Sequence, residues 1–115
     1  MLAGCLMAVT PAQAGGLAEK AKAELEAFGS HAGYIVATIG PCGGGEGEVA
    51  FFTGQIRKML DGIGGDEADF AIVHDAMGKG RAVAKPQGRD CTDQGGLDLA
   101  TELGRLRDAV RDAGK

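Results

Sequence analysis

The distribution of glycine is the feature that most constrains how this chain can fold. The chain contains 21 glycines among 115 residues, more than twice the usual share of about 7%. They cluster between apolar segments and do not form a low-complexity tract, so they predict turns that divide the chain into short elements. The length is enough for one small domain.

Charge and hydrophobicity exclude several classes of protein. Hydrophobic residues make up 44% and charged residues 24% of the chain, which is typical of a folded globular protein. The net charge is −4, and basic residues are interleaved with acidic ones. No basic stripe with stacking aromatics is present, which argues against a nucleic-acid partner. The predicted helices do not combine a basic face with Trp or Phe, which argues against membrane-surface binding.

The N-terminal segment resembles an export signal. An apolar run from Met1 to Val9 is followed by Pro11 and then by the small-residue pattern Ala12-Gln13-Ala14. Together these features predict a signal peptide over residues 1–14, cleavage after Ala14, and one mature domain over residues 15–115. The run is too short to cross about 30 Å of hydrocarbon. We therefore expect a periplasmic or secreted protein that is not stably inserted in the membrane.

Two features of this segment leave an alternative open. No positive charge precedes the apolar run, so the true start could lie upstream. The stretch Leu2-Ala3-Gly4-Cys5 resembles a lipoprotein cleavage box, and with an upstream start Cys5 would be a lipidated N-terminus.

Export also determines the expected state of the cysteines. Cleavage removes Cys5 and leaves Cys42 and Cys91, an even number in an oxidising compartment. Both lie in polar or glycine-rich stretches, where the geometry of a disulfide can be met without distorting a regular element. A Cys42–Cys91 bond would close a loop of about 50 residues and stabilise the fold by roughly 4 kcal/mol in the chain-entropy model.

Apolar residues recurring every three or four positions predict three helices. Carboxylates at Glu46 and Glu48 favour the first turn of the second helix. Thr92 or Asp93 is placed to cap the last helix, and Gly29 is placed to end the first. The predicted helices cover about Leu17–Phe28, Val49–Ile63 and Leu97–Ala113.

Two other stretches predict strands. Tyr34–Ile39 is rich in β-branched and aromatic residues and reads as a buried strand. Residues 68–86 read as a hairpin that turns at Gly78-Lys79-Gly80. The expected fold is therefore α/β, in the order α-β-α-β-β-α, with helices packed on a three-stranded mixed sheet. Charges at Arg81 and Lys85 on the return strand would discourage pairing with another chain and favour a monomer.

The loop around Cys42 allows three further interpretations. A cysteine ahead of a helix has a lowered pKa and could react, with Cys91 as its partner, although a C-x-x-C pair is absent. Consecutive glycines before a helix can bind an anion. This loop lacks the lysine of a phosphate-binding loop, however, and Glu46 and Glu48 would repel an anion. A flexible connector is the simplest interpretation of the glycines.

No catalytic or metal constellation stands out. The candidate metal ligands His31, His74 and Asp75 lack the spacing of a dedicated site, with or without the cysteines, and no carboxylate pair suggests general acid–base chemistry. We expect neither a catalytic site nor a metal or other cofactor. The prediction is an exported, disulfide-stapled binding or accessory protein with an unidentified protein or small-molecule partner. The alternative is a thiol–disulfide redox protein that uses Cys42 with Cys91.

Overall fold

The computed structural model describes residues 16–115, and every regular element in that range is helical. The predicted signal peptide and Cys5 lie outside the described residues. The prediction of an α/β fold with a three-stranded mixed sheet is wrong, because residues 16–115 contain no strand. The elements are α1 (Ala18–Ile39), α2 (Glu46–Gly62), α3 (Glu67–Val83), a 3₁₀ helix (Gly88–Cys91) and α4 (Asp93–Ala113).

The second and last predicted helices are confirmed. Helix α2 begins at Glu46, so both Glu46 and Glu48 lie in its first turn as expected. Helix α4 starts four residues earlier than predicted. It starts there because the hydroxyl of Thr92 accepts a hydrogen bond from the backbone N–H of Gly95 at 3.0 Å and caps the helix.

The predicted strand Tyr34–Ile39 is helical, because α1 continues through Gly29 and Gly33. These two glycines lie one turn apart on the face that meets α3. A Cβ atom at Gly29 would lie 2.6 Å from the carbonyl oxygen of Val73, and one at Gly33 would lie 2.8 Å from the backbone nitrogen of Arg81. Gly29 therefore does not end the helix; the two glycines allow two helix backbones to approach closely.

The predicted hairpin is also wrong, since residues 67–83 form helix α3. Val73, Met77 and Gly80 are buried at helical spacing. Gly80 is not in a turn: an added Cβ would collide with the backbone of Ser30 on α1. The strand assignment failed because tertiary packing between small residues outweighs local propensity.

Helix α1 lies at the centre of the arrangement. Gly29 meets Val73 and Gly33 meets Arg81, so α1 and α3 run parallel. His31 contacts Leu99 near the start of α4, while Lys20 contacts Lys115 at the chain's end, so α4 runs antiparallel to α1. The core formed in this way contains Leu17, Ala21, Leu25, Phe28, Ala32, Val36, Ile56, Leu60, Val73, Met77, Leu103 and Val110.

One end of the fold is held by two carboxylates at the start of α3. Asp66 caps α3 by accepting the N–H of Asp69 at 2.9 Å, and Asp69 accepts the N–H of Asp66 at 3.0 Å. Asp69 is fully buried and also accepts the N–H groups of Leu17 and Ala18 at the start of α1. The pair therefore satisfies backbone donors of two helices at once.

Candidate functional site

The disulfide lies at the end of the fold opposite these carboxylates. The sulfurs of Cys42 and Cys91 are 2.03 Å apart and the Cα atoms 5.3 Å apart. Cys42 lies in the connection between α1 and α2, and Cys91 ends the 3₁₀ helix that precedes α4. Both cysteines are exposed to solvent. The structure thus brings together the two residues that the sequence predicts to pair.

Backbone hydrogen bonds at the end of α1 set the position of Cys42. Its N–H donates to the carbonyl of Thr38 at 3.0 Å, and the N–H of Gly44 donates to that of Ile39 at 2.7 Å. Gly43 adopts a φ of +97°, a conformation that residues with a side chain rarely adopt. The glycines after Cys42 therefore form a compact helix-ending turn, so the flexible-connector interpretation needs correction.

Cys91 is positioned by the loop before it. The hydroxyl of Tyr34 on α1 donates to Asp90 Oδ2 at 2.5 Å, and the N–H of Gln87 donates to the same oxygen at 2.9 Å. The backbone N–H of Gln87, followed by the Tyr34 hydroxyl, lowers the pKa of Asp90. The same hydrogen bond from Tyr34 to Asp90 raises the pKa of Tyr34. This contact fastens the loop carrying Cys91 to α1.

The other candidate ligands are not brought together. His31 Nε2 lies 2.9 Å from the carbonyl oxygen of Leu99, which explains its half-buried position as a link between α1 and α4. His74 is exposed on α3 and lies against the ring of Phe70, with centroids 5.8 Å apart. Within residues 16–115, no group of three His, Cys, Asp or Glu side chains is arranged to hold a metal ion.

An open groove follows α1, first beside α3 and then between α3 and α4, and we call it the α3–α4 groove. Two adjoining cavities of about 690 Å³ each form it, and they share Ser30. Several charged side chains along it already have partners: Lys79 lies 3.2 Å from Asp75, and Arg105 lies 2.6 Å from Glu102. His31 and Tyr34, described above, also line this groove with their hydrogen bonds made.

A narrower groove lies on the other side of α3, where α1, α2 and α3 meet, and we call it the Arg81 groove. It consists of one cavity of about 330 Å³ beside the Cys42 loop and one of about 240 Å³ between α2 and α3. Val36, Val49 and Arg81 line both cavities. Ile39 adds an apolar wall to the first and Met77 to the second.

Arg81 differs from the other arginines of the chain. The five others each have a carboxylate oxygen within 4.0 Å, whereas none lies that close to Arg81 among the described residues. Arg81 is exposed as a residue and lies in the last turn of α3. The groove thus combines mainly apolar walls with one arginine that forms no ion pair among the described residues, and Glu46 is a carboxylate on the wall of its first cavity.

Sequence reasoning placed Arg81 on a strand edge and interpreted its charge as protection against pairing. Residues 16–115 contain no such edge, so the expectation of a monomer loses that support. A signal was present: Val73, Met77 and Arg81 recur every four residues, which is a helical period that puts Arg81 in line with two core residues.

Comparison with known protein families, curated proteins and solved structures finds no match for this chain. None of the helices in residues 16–115 has the length and apolar character needed to cross a membrane.

Proposed function

We propose that this chain is an exported binding or accessory protein whose helical fold is stapled by Cys42–Cys91. The observation that carries the proposal is the disulfide itself, which joins the α1–α2 connection to the segment before α4 and whose two cysteines are exposed to solvent. Such an exposed bond is stable in an oxidising compartment and not in a reducing one.

The start of the fold supports the predicted cleavage after Ala14. The N–H of Gly16 already donates to Asp66 Oδ2 at 3.0 Å, and Leu17 is 7% exposed in the core. Removal of residues 1–14 would therefore leave the described contacts intact. A cleavage site upstream of Gly16 is compatible with processing during export.

The Arg81 groove supports a binding role. Its first cavity is bordered by Gly40, Pro41 and Gly44, which flank Cys42 in the turn after α1. The disulfide thus restrains one wall of a concave surface whose apolar side chains are accompanied by two charged residues, Arg81 and Glu46, and ligand sites commonly combine apolar walls with a few polar groups. A non-catalytic role for the disulfide is consistent with its position at the rim.

The first test is the intact mass of the chain recovered from the periplasm or medium, with thiol alkylation before and after reduction. We expect a mature chain that starts at Gly15, with two cysteines alkylated only after strong reductant. A full-length chain retained in the cytoplasm, or two freely alkylated cysteines in the exported chain, would contradict the proposal.

A thiol–disulfide redox role is the second candidate, and the exposure of both cysteines favours it. Cys91 immediately precedes Thr92, the cap of α4, and a helix N-terminus lowers the pKa of a nearby thiol. The reduction potential separates the two roles. A structural bond should lie below about −300 mV, and a catalytic one well above that value.

A further inference from the structure

We infer that the Arg81 groove binds an amphiphilic monocarboxylate, with the carboxylate on Arg81 and the acyl chain between α2 and α3. The inference rests on the proposed binding function and names its ligand class. It is carried by charge complementarity: Arg81 is exposed, has no carboxylate oxygen within 4.0 Å among the described residues, and lies where two mainly apolar cavities meet.

The shape of the groove determines the orientation of the ligand. The cavity between α2 and α3 measures about 240 Å³ and is lined by Val36, Val49, Thr53 and Met77, which suits a short acyl chain. The cavity on the other side of Arg81 contains Glu46, whose charge would repel a carboxylate. A carboxylate held at Arg81, with its acyl chain directed away from Glu46, would place the chain in the apolar cavity and keep the two negative charges apart.

The chemistry of arginine supports an anion with two oxygens. A guanidinium offers a planar pair of donors that matches a carboxylate and can form two parallel hydrogen bonds. His74 also lines the α2–α3 cavity. The rest of that cavity is formed by apolar, hydroxyl and glycine residues, which can enclose a hydrocarbon chain but cannot pair with a second charged group.

The experiment is a titration of the full chain, with its disulfide formed, by octanoate below its micelle-forming concentration, followed by ¹H–¹⁵N NMR. We expect saturable shifts centred on Val49, Thr53, Gly78 and Arg81. Each methylene buried should tighten binding roughly fourfold, so hexanoate should bind more weakly than octanoate. Octanol and acetate, which keep only the chain or only the headgroup, should cause much smaller shifts.

Variants test the two parts of the groove. Arg81→Gln should weaken octanoate binding at least tenfold, and Arg81→Lys should retain part of it. Arg105→Gln is the matched control, because it removes the same charge from an exposed arginine on α4. Thr53→Phe, which adds bulk at the cavity wall, should block binding while Arg81 is still present.

Several results would overturn the inference. Equal binding of octanoate by the Arg81→Gln and wild-type chains would show that Arg81 is only a solvated helix-end charge. Shifts confined to the α3–α4 groove would place the ligand elsewhere. Binding of a peptide with a free C-terminal leucine, but not of octanoate, would make the partner a protein. Because the titration uses oxidised protein prepared in vitro, its outcome is independent of the export and alkylation test.

Discussion

The buried carboxylate of Asp69 on α3 accepts the backbone N–H of Leu17, the residue immediately before α1, at 3.1 Å. The two residues are 52 positions apart in the chain. Helix N-termini leave backbone donors without partners, and here a side chain from a neighbouring helix supplies the acceptor. This contact joins the start of α1 to the start of α3.

Replacement of Asp69 by Ala should therefore destabilise the fold strongly. The change leaves the N–H groups of Leu17, Ala18 and Asp66 without their acceptor, and each buried unsatisfied group costs about 1–3 kcal/mol. Urea unfolding followed by circular dichroism would measure the loss. Asp61→Ala, at an exposed position on α2, is the control and should change stability by less than about 0.5 kcal/mol. Equal effects of the two changes would refute the capping role.

Acid should weaken the same end of the fold. The backbone N–H of Asp69 is the largest cause that lowers the pKa of Asp66, and the N–H of Gly16 contributes further. A carboxyl with a lowered folded-state pKa contributes stability above its unfolded pKa, and that stability is lost as pH falls through the folded value. Stability of the wild-type chain should fall below about pH 4. An Asp66→Asn chain should show a shallower fall over the same range.

Tyr34 provides a direct optical measurement of its contact with Asp90. It is the chain's single tyrosine, and tryptophan is absent, so absorbance near the tyrosinate band reports Tyr34 alone. Its pKa should lie above the usual value of about 10, because its hydroxyl donates to Asp90. The Asp90→Asn change should lower that pKa towards the usual value. An unchanged titration would show that the contact is not made in solution.

The hydrogen bond between Tyr34 and Asp90 also determines how the stability of the fold depends on pH. A tyrosine whose folded pKa is raised contributes stability below its unfolded pKa of about 10, and the contribution is lost as pH rises through the folded value. The lowered pKa of Asp90 has the opposite dependence, since its contribution is lost in acid. Tyr34→Phe should therefore reduce the loss of stability at alkaline pH and also the loss at acid pH.

A methyl group added to a glycine between α1 and α3 should destabilise the fold. In the Gly33→Ala chain the new Cβ would collide with the backbone of Met77 and Arg81, and overpacking of this kind costs about 1–3 kcal/mol. Gly54→Ala is the matched control, because a Cβ there meets nothing within 4 Å. In that chain the higher helix propensity of alanine should stabilise α2 by up to about 1 kcal/mol. In thermal unfolding, the Gly33→Ala chain should therefore melt at a lower temperature than the wild-type chain and the Gly54→Ala chain at a higher one.

Loss of the disulfide should cost more than the Gly33→Ala change. The Cys42→Ser/Cys91→Ser chain opens a loop with a sequence separation of 49, for which the chain-entropy model predicts a loss of roughly 4 kcal/mol. The reduced wild-type chain should match the double variant in urea unfolding. A difference of less than about 1 kcal/mol between oxidised and reduced chains would argue against a structural role.

Helices α2 and α4 could be predicted from the sequence because their apolar stripes are bounded by charged residues. In α2, Ile56 and Leu60 are buried while Lys58 and Asp61 are exposed, and that contrast shows the helical period directly. The Cys42–Cys91 pairing was predicted from the expectation of export, which would leave two cysteines in the mature chain.

The second half of α1 and all of α3 could not be assigned in the same way. Gly29, Gly33 and Gly80 usually indicate turns, and nothing local shows that they face each other across two helices. The β-branched run through Ile35 and Val36 favours strand by propensity, but burial of Val36 in the helical core decides the outcome. To assign these segments as helices, one must know which helix packs against them, and the local sequence of one segment does not contain that information.

The parallel direction of α1 and α3 places two positive helix ends side by side at one end of the fold. Peptide dipoles of antiparallel neighbours cancel, but those of parallel neighbours add, with about half a positive charge at each N-terminus. Asp66 and Asp69 lie at the two adjacent positive ends, and Arg81 lies in the last turn of α3 at the negative end. The charges of these side chains are thus opposite in sign to the partial charges at the helix ends beside them. An anion that approached Arg81 would compete with this compensation, so its binding should be sensitive to ionic strength.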